Sequence, residues 1–555
     1  MNKLDNPHTQ KATIGTLGKG AAGLLVLLGL AFALAWVSNG FKHLSGWMSF
    51  FWVLILGVGI LYLVWWLMRS EKPPRWLLVL MLGAALLRLT VGALWQVALP
   101  VWGHGTPAEM AGYVMGDAAG RDQAAWKLAN SNRPLWSAFQ DNRKVDQYGG
   151  LLFLSAMVYR YLGSQTHQPL LIVVLAAVCS SLVVLLGWSL GRQVWRAAAA
   201  AIAAWMLFLY PEAVLLGSSQ MREAFTIPLV AAAFYGLLRY SRNRSLVSLA
   251  WILAAFLMTL FFSTMTAVLL LGTLGLAALV IIKPLKHSRT HNRWFWLIVV
   301  FLAIVALAGI WLALREVTPD RITNPLAMVS WWLRKSARLQ AYLSEHASGW
   351  TQKIFDETPP WLHLPLLILY GIVQPFLPAA LTAGTGAPIW RWIAVWRSVG
   401  WTVLLAFLAY APFFVLRQKS RRDLVGALTL VVWITILVAA FRGGSDMWDN
   451  PRYRTIFVSL QIALAAIIWV EVSRSPDPWF RRALLAAGAI LAWFLPWYLQ
   501  RYYSIGWPIR DPFRTLALGL STSFLLIMAD WARWSGSNRD TSASTSSEHG
   551  EGQHE

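Results

Sequence analysis

Apolar runs of about 20 residues recur along the whole chain, and each is long enough to cross the ~30 Å hydrocarbon core of a bilayer. FFWVLILGVGILYLVWWLM at 50–68 is one of them. Inside a bilayer every backbone N–H and C=O must be satisfied within the protein, so a succession of such runs resolves into a bundle of helices. The sequence therefore reads as an all-α polytopic membrane protein of about 13–14 transmembrane helices, with interfacial or re-entrant helices in its external loops. Of its 555 residues 57% are hydrophobic and only 13% charged, and the longest polar breaks are 97–148 and 315–360, so no soluble domain competes for the chain.

The formal net charge is +22. In a soluble protein that would suggest nucleic acid. Here the basic residues concentrate in short loops, which the positive-inside rule explains with no nucleic-acid partner. RSEKPPR (69–75), RYSRNR (239–244), KPLKHSRTHNR (283–293), RQKSRR (417–422) and SRSPDPWFRR (473–482) read as cytoplasmic, as do both termini. The start of the chain reads as an uncleaved first span, since no small-residue cleavage site follows its basic stretch. The single Cys179 excludes intrachain disulfides and a cysteine metal site.

With three spans over 21–38, 48–68 and 76–96, residues 97–148 fall outside. GGLLFLSAMVYRYL at 149–162 is short for a span, and counting it as one would put the later basic loops outside; it reads as interfacial or re-entrant. The same parity problem arises over 361–416, where Pro365, Pro375 and Pro378 suggest a broken segment. The run at 246–282 has room for two spans, as its two basic flanks require. Three polar stretches then converge on the external face: 109–148, 212–223 and 442–454. The tail 536–555 is Ser-rich and acidic and reads as disordered.

These stretches carry the candidate residues. Asp117, in GDAAGRDQAAWKLAN, has the chemistry of a general base toward a hydroxyl or amine, and equally that of an N-terminal helix cap. Asp122, five residues on, is a second acid or the partner of Arg121 or Lys127 on a solvated face. Arg222 and Glu223 open a later apolar run, either marking the interface or, in a functional reading, with Glu223 orienting a substrate and Arg222 contacting a donor phosphate. Arg452 and Arg454 flank Tyr453 in NPRYRTIF; arginine suits two-point contact with a phosphate, and arginine beside tyrosine also suits an interfacial anchor. Arg442 is a weaker candidate of the same kind. Arg88 lies inside an apolar run, where a cation costs roughly 2.5–3.5 kcal/mol on insertion scales, so it must face protein or water. A phosphate-binding Gly-rich loop, an HExxH motif and a nucleophile elbow are all missing, and His104, His167, His346 and His363 lack ligand spacing. No metal site is assigned and no cofactor is expected; a divalent metal finds no support in the sequence.

The order of these motifs resembles a family. An external GDAAGRDQAAWKLAN follows a span with an internal Arg; GGLLFLSAMVYRYLG, YPEAVLLGSSQMREAFTIPL and NPRYRTIFVSLQIALAA come after it. This order is similar to that of the C-type fold (GT-C) glycosyltransferases, which include the protein O-mannosyltransferases and the lipid A aminoarabinose transferases. The resemblance covers 76–470. It leaves 1–75 as two additional spans, 471–535 as C-terminal spans and 536–555 as the tail, with external loops over 97–168 and 315–360 in the core. It implies an inverting glycosyltransferase of the cell envelope, in polysaccharide biosynthesis or a related task. Its donor would be a polyprenyl-phosphate-linked sugar and its acceptor a glycan, lipid or protein. The site would lie on the external face of a bacterial inner membrane. By resemblance Asp117 is the catalytic acid of the first loop, Glu223 the carboxylate opening a later span, and Arg452 to Arg454 the donor-phosphate stretch. Trp331, Trp332 and Trp350 would border lipid and sugar. Many relatives carry an adjacent acidic pair or a D-x-D pattern where Asp117 is followed by two alanines, and that leaves metal dependence and subfamily open. The alternatives are a polymerase or ligase of lipid-linked glycans, a polysaccharide or lipid transporter, and a membrane scaffold.

Overall fold

The computed structural model of the chain describes residues 7–140, 146–282, 356–384, 386–417, 422–444, 449–475, 477–505 and 508–548, with parts of 297–335; the side chains of 7–20, Arg422, Asp449 and 534–548 are not among those described. The basic loops at 283–293 and 418–421, Trp350 and residues 549–555 lie outside the described residues. Among them the fold is all helical, without a strand. Among the described residues ten helices are long and apolar enough to cross a membrane, or eleven if one bent pair counts as a span. The protein is an integral membrane protein.

The chain begins with α1 (Pro7–Ser38), α2 (Trp47–Met68) and α3 (Arg75–Trp102), followed by the short α4 (Pro107–Met110), α5 (Gly116–Ala129) and α6 (Gly150–Tyr161). Then come α7 (Leu170–Val194), α8 (Ala197–Leu209), α9 (Pro211–Gly217), α10 (Glu223–Asn243), α11 (Leu246–Phe262) and α12 (Thr264–Ile281). After the loop region follow α13 (Pro360–Val373), α14 (Leu377–Thr382), α15 (Pro388–Arg417), α16 (Arg422–Gly443), α17 (Asp449–Thr455), α18 (Val458–Arg474), α19 (Pro478–Tyr503) and α20 (Pro512–Glu548). The backbone of α20 continues into the stretch whose composition suggests a disordered tail.

The central element is α7, whose most apolar window is 94% buried, against 17% for α1 and 22% for α19. The outer helices present their apolar side chains to lipid, so hydropathy alone does not separate core from periphery. What marks α7 is the small residues packed against it. A Cβ on Gly187 would lie 2.0 Å from Leu207 Cδ1, and one on Gly191 would lie 3.0 Å from Ala200 Cα. Ala199, Ala200, Ala203 and Ala204 of α8 are all buried at this seam. Small residues let two membrane helices approach closely, where packing rather than water exclusion holds them together.

Two helices are broken, and each break is closed by a polar side chain. The α8–α9 pair bends by 53°. Pro211 has no N–H for the carbonyl of Leu207, and Arg88 Nη2 donates to that oxygen instead at 3.0 Å. Arg88 thus faces protein, as its cost in lipid requires, and is structural. The second break separates α13 from α14 at Gln374–Pro375. Asn450 Nδ2 donates to Gly371 O at 2.6 Å, Trp401 Nε1 to Ile372 O at 2.9 Å and Arg454 Nη1 to Gln374 O at 2.5 Å. These carbonyls lie where the break interrupts the backbone ladder, and Gly371 O also accepts from Gln374 N at 3.3 Å.

The short apolar segment α6 has 12 residues, roughly 18 Å at the helical rise, and is not among the helices long enough to span. The 246–282 run divides at Ser263, whose Oγ caps α12 by accepting from Thr266 N. One pole gathers the basic loops around 69–75, 192–196 and 239–244. Arg192 donates to Glu71 O, Tyr235 to Glu71 Oε1 at 3.2 Å, Arg239 to the Tyr235 hydroxyl at 2.8 Å and Trp195 Nε1 to Glu471 Oε1 at 2.8 Å. The opposite pole gathers α4–α6, the start of α10 and α17.

Candidate functional site

At that second pole two carboxylates share one guanidinium. Arg452, on α17, donates from Nε to Glu223 Oε1 at 2.7 Å and from Nη1 to Asp117 Oδ2 at 3.3 Å. The Arg452 and Glu223 side chains are 6% and 4% exposed, whereas that of Asp117 is 63% exposed. Glu223 is the first residue of α10, where the helix dipole favours a carboxylate, and its Oε2 is buried with no hydrogen-bond partner. Asp117 stands in the first turn of α5 but is not its cap: Met115 holds the N-cap position and no side chain bonds there. The capping role allowed by the sequence is therefore not the one Asp117 fills.

Asp122 has a different environment. It is 1% exposed and pairs with neither Arg121 nor Lys127; the solvated-face expectation is overturned. Its Oδ2 accepts from the Tyr113 hydroxyl at 2.6 Å and lies 2.7 Å from His167 Nε2, while Oδ1 accepts from the Tyr159 hydroxyl at 2.6 Å. Burial first, and then the Asp122 charge, push both phenols well above their ordinary range, so both remain protonated donors. Asp122 thereby pins α5 to α6 and to the segment before α7.

A second ion cluster adjoins the first. Asp146 Oδ2 lies 3.6 Å from Arg121 Nε and Oδ1 lies 3.8 Å from Arg222 Nη1. The Leu152 N–H donates to Asp146 Oδ2 at 3.3 Å. Arg222 packs 4.7 Å over the Tyr148 ring, and Arg121 Nη1 donates to Gln220 O at 3.2 Å. Burial lowers the Arg121 guanidinium from its ordinary range, against the opposing pull of Asp146. Gly149 makes this corner possible: its φ is +74° as it caps α6, and a Cβ there would meet Ala138 O at 2.6 Å. Arg121, Arg222 and Arg452 thus face Asp117, Asp146 and Glu223. Within this balanced set Asp117 is the carboxylate open to solvent.

The remaining arginine of NPRYR points elsewhere. Arg454 is 1% exposed, packs 3.3 Å over Trp401 and donates to Gln374 O. Burial pushes its guanidinium down to about 9. Residues 450 and 454 lie on one face of α17 and residue 452 on the other, as helical spacing dictates. Tyr453 is stacked by Arg442, whose guanidinium lies 4.2 Å from the ring, with Arg452 at 5.8 Å. Trp331 carries Lys335 over its ring at 4.7 Å. Among the described residues no group of three or more His, Cys, Asp or Glu side chains could hold a metal ion.

Sequence reasoning did not single out Asp146, Tyr148, Asn450 or Gln374. Asp146 lies in the same polar break as Asp117, and in a chain with 25 acidic residues that was the available signal. Nothing local pairs it with Arg121 and Arg222.

No protein-family model matches the sequence, and no curated protein matches it. Among solved structures the chain is similar to the archaeal oligosaccharyltransferase AglB from Archaeoglobus fulgidus, in complex with an inhibitory peptide and a dolichol-phosphate. The identity is 15%, the coverage 82% of this chain and 56% of that chain, and the TM-score 0.38. The Archaeoglobus fulgidus oligosaccharyltransferase in complex with Zn and sulfate is 14% identical over 80% of this chain and 53% of that chain, with a TM-score of 0.40. In the apo form that enzyme is 16% identical over 82% and 56%, with a TM-score of 0.36. The chain spans little more than half the length of these structures.

Proposed function

We propose that the protein is a membrane glycosyltransferase that moves a sugar from a polyprenyl-phosphate donor to an acceptor by single displacement with inversion. The observation that carries this reading is the solvent-open Asp117 beside a buried Arg452 that Glu223 holds in place. The acceptor O–H attacks the anomeric carbon and its proton passes to Asp117. The bond from that carbon to the phosphate oxygen breaks on the opposite face, and the polyprenyl phosphate leaves with the electron pair. Arg452 and Arg222 supply, in this reading, the positive charge that meets the leaving group. Arg454, engaged with the broken segment, supports the site from behind.

The setting fits a lipid donor and a polar acceptor. The cluster lies at one pole of an apolar bundle, so the polyprenyl chain remains in lipid while the acceptor arrives from water. With the described basic loops at the other pole, the positive-inside rule favours a site on the external face and both termini in the cytoplasm. A bacterial inner membrane is the compartment this reading implies, and the acceptor is a glycan, a lipid or a protein.

The test is transfer of labelled sugar from a polyprenyl-phosphate donor in membranes. Asp117→Asn keeps size and polarity but removes the proton acceptor. A general base contributes ~10²–10⁴-fold in rate, so transfer should collapse by that factor while the variant is expressed and folded. Near-normal transfer would remove Asp117 from this role.

A further inference from the structure

We propose that donor binding itself releases the base: the donor's phosphate takes the Arg452 N–H that Asp117 occupies in the free protein. This rests on the reading of Asp117 as base and of the donor as a lipid phosphodiester, and it adds the order of events at that site.

The contacts of Arg452 with Glu223 and with Asp117 are unequal in distance and setting. The bond to Glu223 is short, 2.7 Å, and both partners are buried. That to Asp117 is longer, 3.3 Å, and reaches a side chain 63% exposed. An incoming anion meets the exposed partner first, and separating a partly exposed pair costs far less than separating a buried one. Glu223 therefore keeps the guanidinium in place while Asp117 exchanges. Asp117 stands in the first turn of α5, so a rotamer change moves it without disturbing the helix. The anchor of α5 is separate: Asp122, five residues on, is held by Tyr113 and Tyr159.

The exchange has a chemical consequence. In the free protein Arg452 Nη1 occupies Asp117 Oδ2 at 3.3 Å. With donor bound, Asp117 loses that contact and its carboxylate is open to the acceptor hydroxyl when there is a sugar to receive the oxygen. No covalent bond changes in this step; one ion pair replaces another.

The experiment measures binding of a long-chain polyprenyl phosphate carrying no sugar to the full-length protein in nanodiscs at fixed ionic strength. If Asp117 competes with the phosphate for Arg452, Asp117→Asn binds this lipid more tightly, by roughly two- to fivefold for a partly exposed pair. The gain should vanish in an Arg452→Gln background. Should that variant fail to fold because Glu223 is left buried and unpaired, Arg452→Gln with Glu223→Gln serves as the background. Unchanged or weaker binding by Asp117→Asn overturns the exchange. So does a gain that persists without Arg452, because it would reflect general repulsion rather than competition. Failure of the underlying reading looks different: Asp117→Asn would still transfer sugar, whatever its affinity. A variant inactive in transfer but without a gain in binding keeps the base and removes the exchange.

Discussion

Two aspartates five residues apart on α5 have opposite physical situations. Asp117 is open to water and touches one arginine; Asp122 is closed off and held by two phenols and an imidazole. The difference predicts opposite phenotypes for the same substitution. Asp122→Asn turns one acceptor oxygen into an amide donor that faces groups already donating, and hydrogen bonds to a charged group contribute ~1.5–3 kcal/mol each. A loss of about 2–3 kcal/mol in stability is expected, read as a lower thermal midpoint in detergent, with residual transfer falling in step with folded protein. Asp117→Asn should leave that midpoint unchanged. If Asp122→Asn is as stable as wild type and inactive, Asp122 belongs to the chemistry. The sequence ranked Asp117 first by resemblance but did not show the burial of Asp122. It shows acids in an external loop of a chain that avoids charge, but Tyr159 reaches Asp122 from 37 residues away. Burial of a loop carboxylate is a tertiary property.

At the scale of elements, the division of labour in α17 was equally hidden. NPRYR announces basic residues at an interface, and periodicity places Asn450 and Arg454 together, opposite Arg452. It does not say which face meets the site. That is settled by the break between α13 and α14, whose carbonyls lie 79 and 80 residues before the side chains that donate to them. Prolines in the sequence signalled that break, and the 149–162 segment signalled a short helix; both are features of local chain chemistry. The partner that repairs a break is not local. Arg454→Met keeps an unbranched side chain over Trp401 but removes the donor to Gln374 O, leaving a buried carbonyl that costs ~1–3 kcal/mol. Hydrogen exchange of the α14 amides should then accelerate, while affinity for polyprenyl phosphate stays within about twofold. An affinity loss of roughly tenfold or more, with α14 exchange unchanged, would return Arg454 to the phosphate site.

For the whole molecule the governing quantity is charge asymmetry between the two poles. Basic loops tied around Glu71 and Glu471 occupy one end, and the balanced cluster of Asp117, Asp146, Glu223, Arg121, Arg222 and Arg452 occupies the other. Lys and Arg bias in short loops sets orientation, because those loops are retained on the cytoplasmic side. The alternation that follows depends on α6 staying at the site pole, since one additional crossing between α5 and α7 would reverse every later loop. Single cysteines in a Cys179→Ser background test this directly. Gln123→Cys on α5, Gln165→Cys beyond α6 and Asn243→Cys at the end of α10 are all exposed positions. A membrane-impermeant thiol reagent applied to intact cells should label 123 and 165 alike and spare 243 until the membrane is opened. Labelling of 123 with protection of 165 would mean that α6 crosses. Arg222 and Glu223 would then stand on the opposite side from Asp117, and the shared guanidinium at Arg452 could not exist in the membrane. Labelling of 243 from outside, with 123 and 165 spared, would keep the cluster intact but turn it to the cytoplasm, where the donor lipid would have to be loaded and used on the same face.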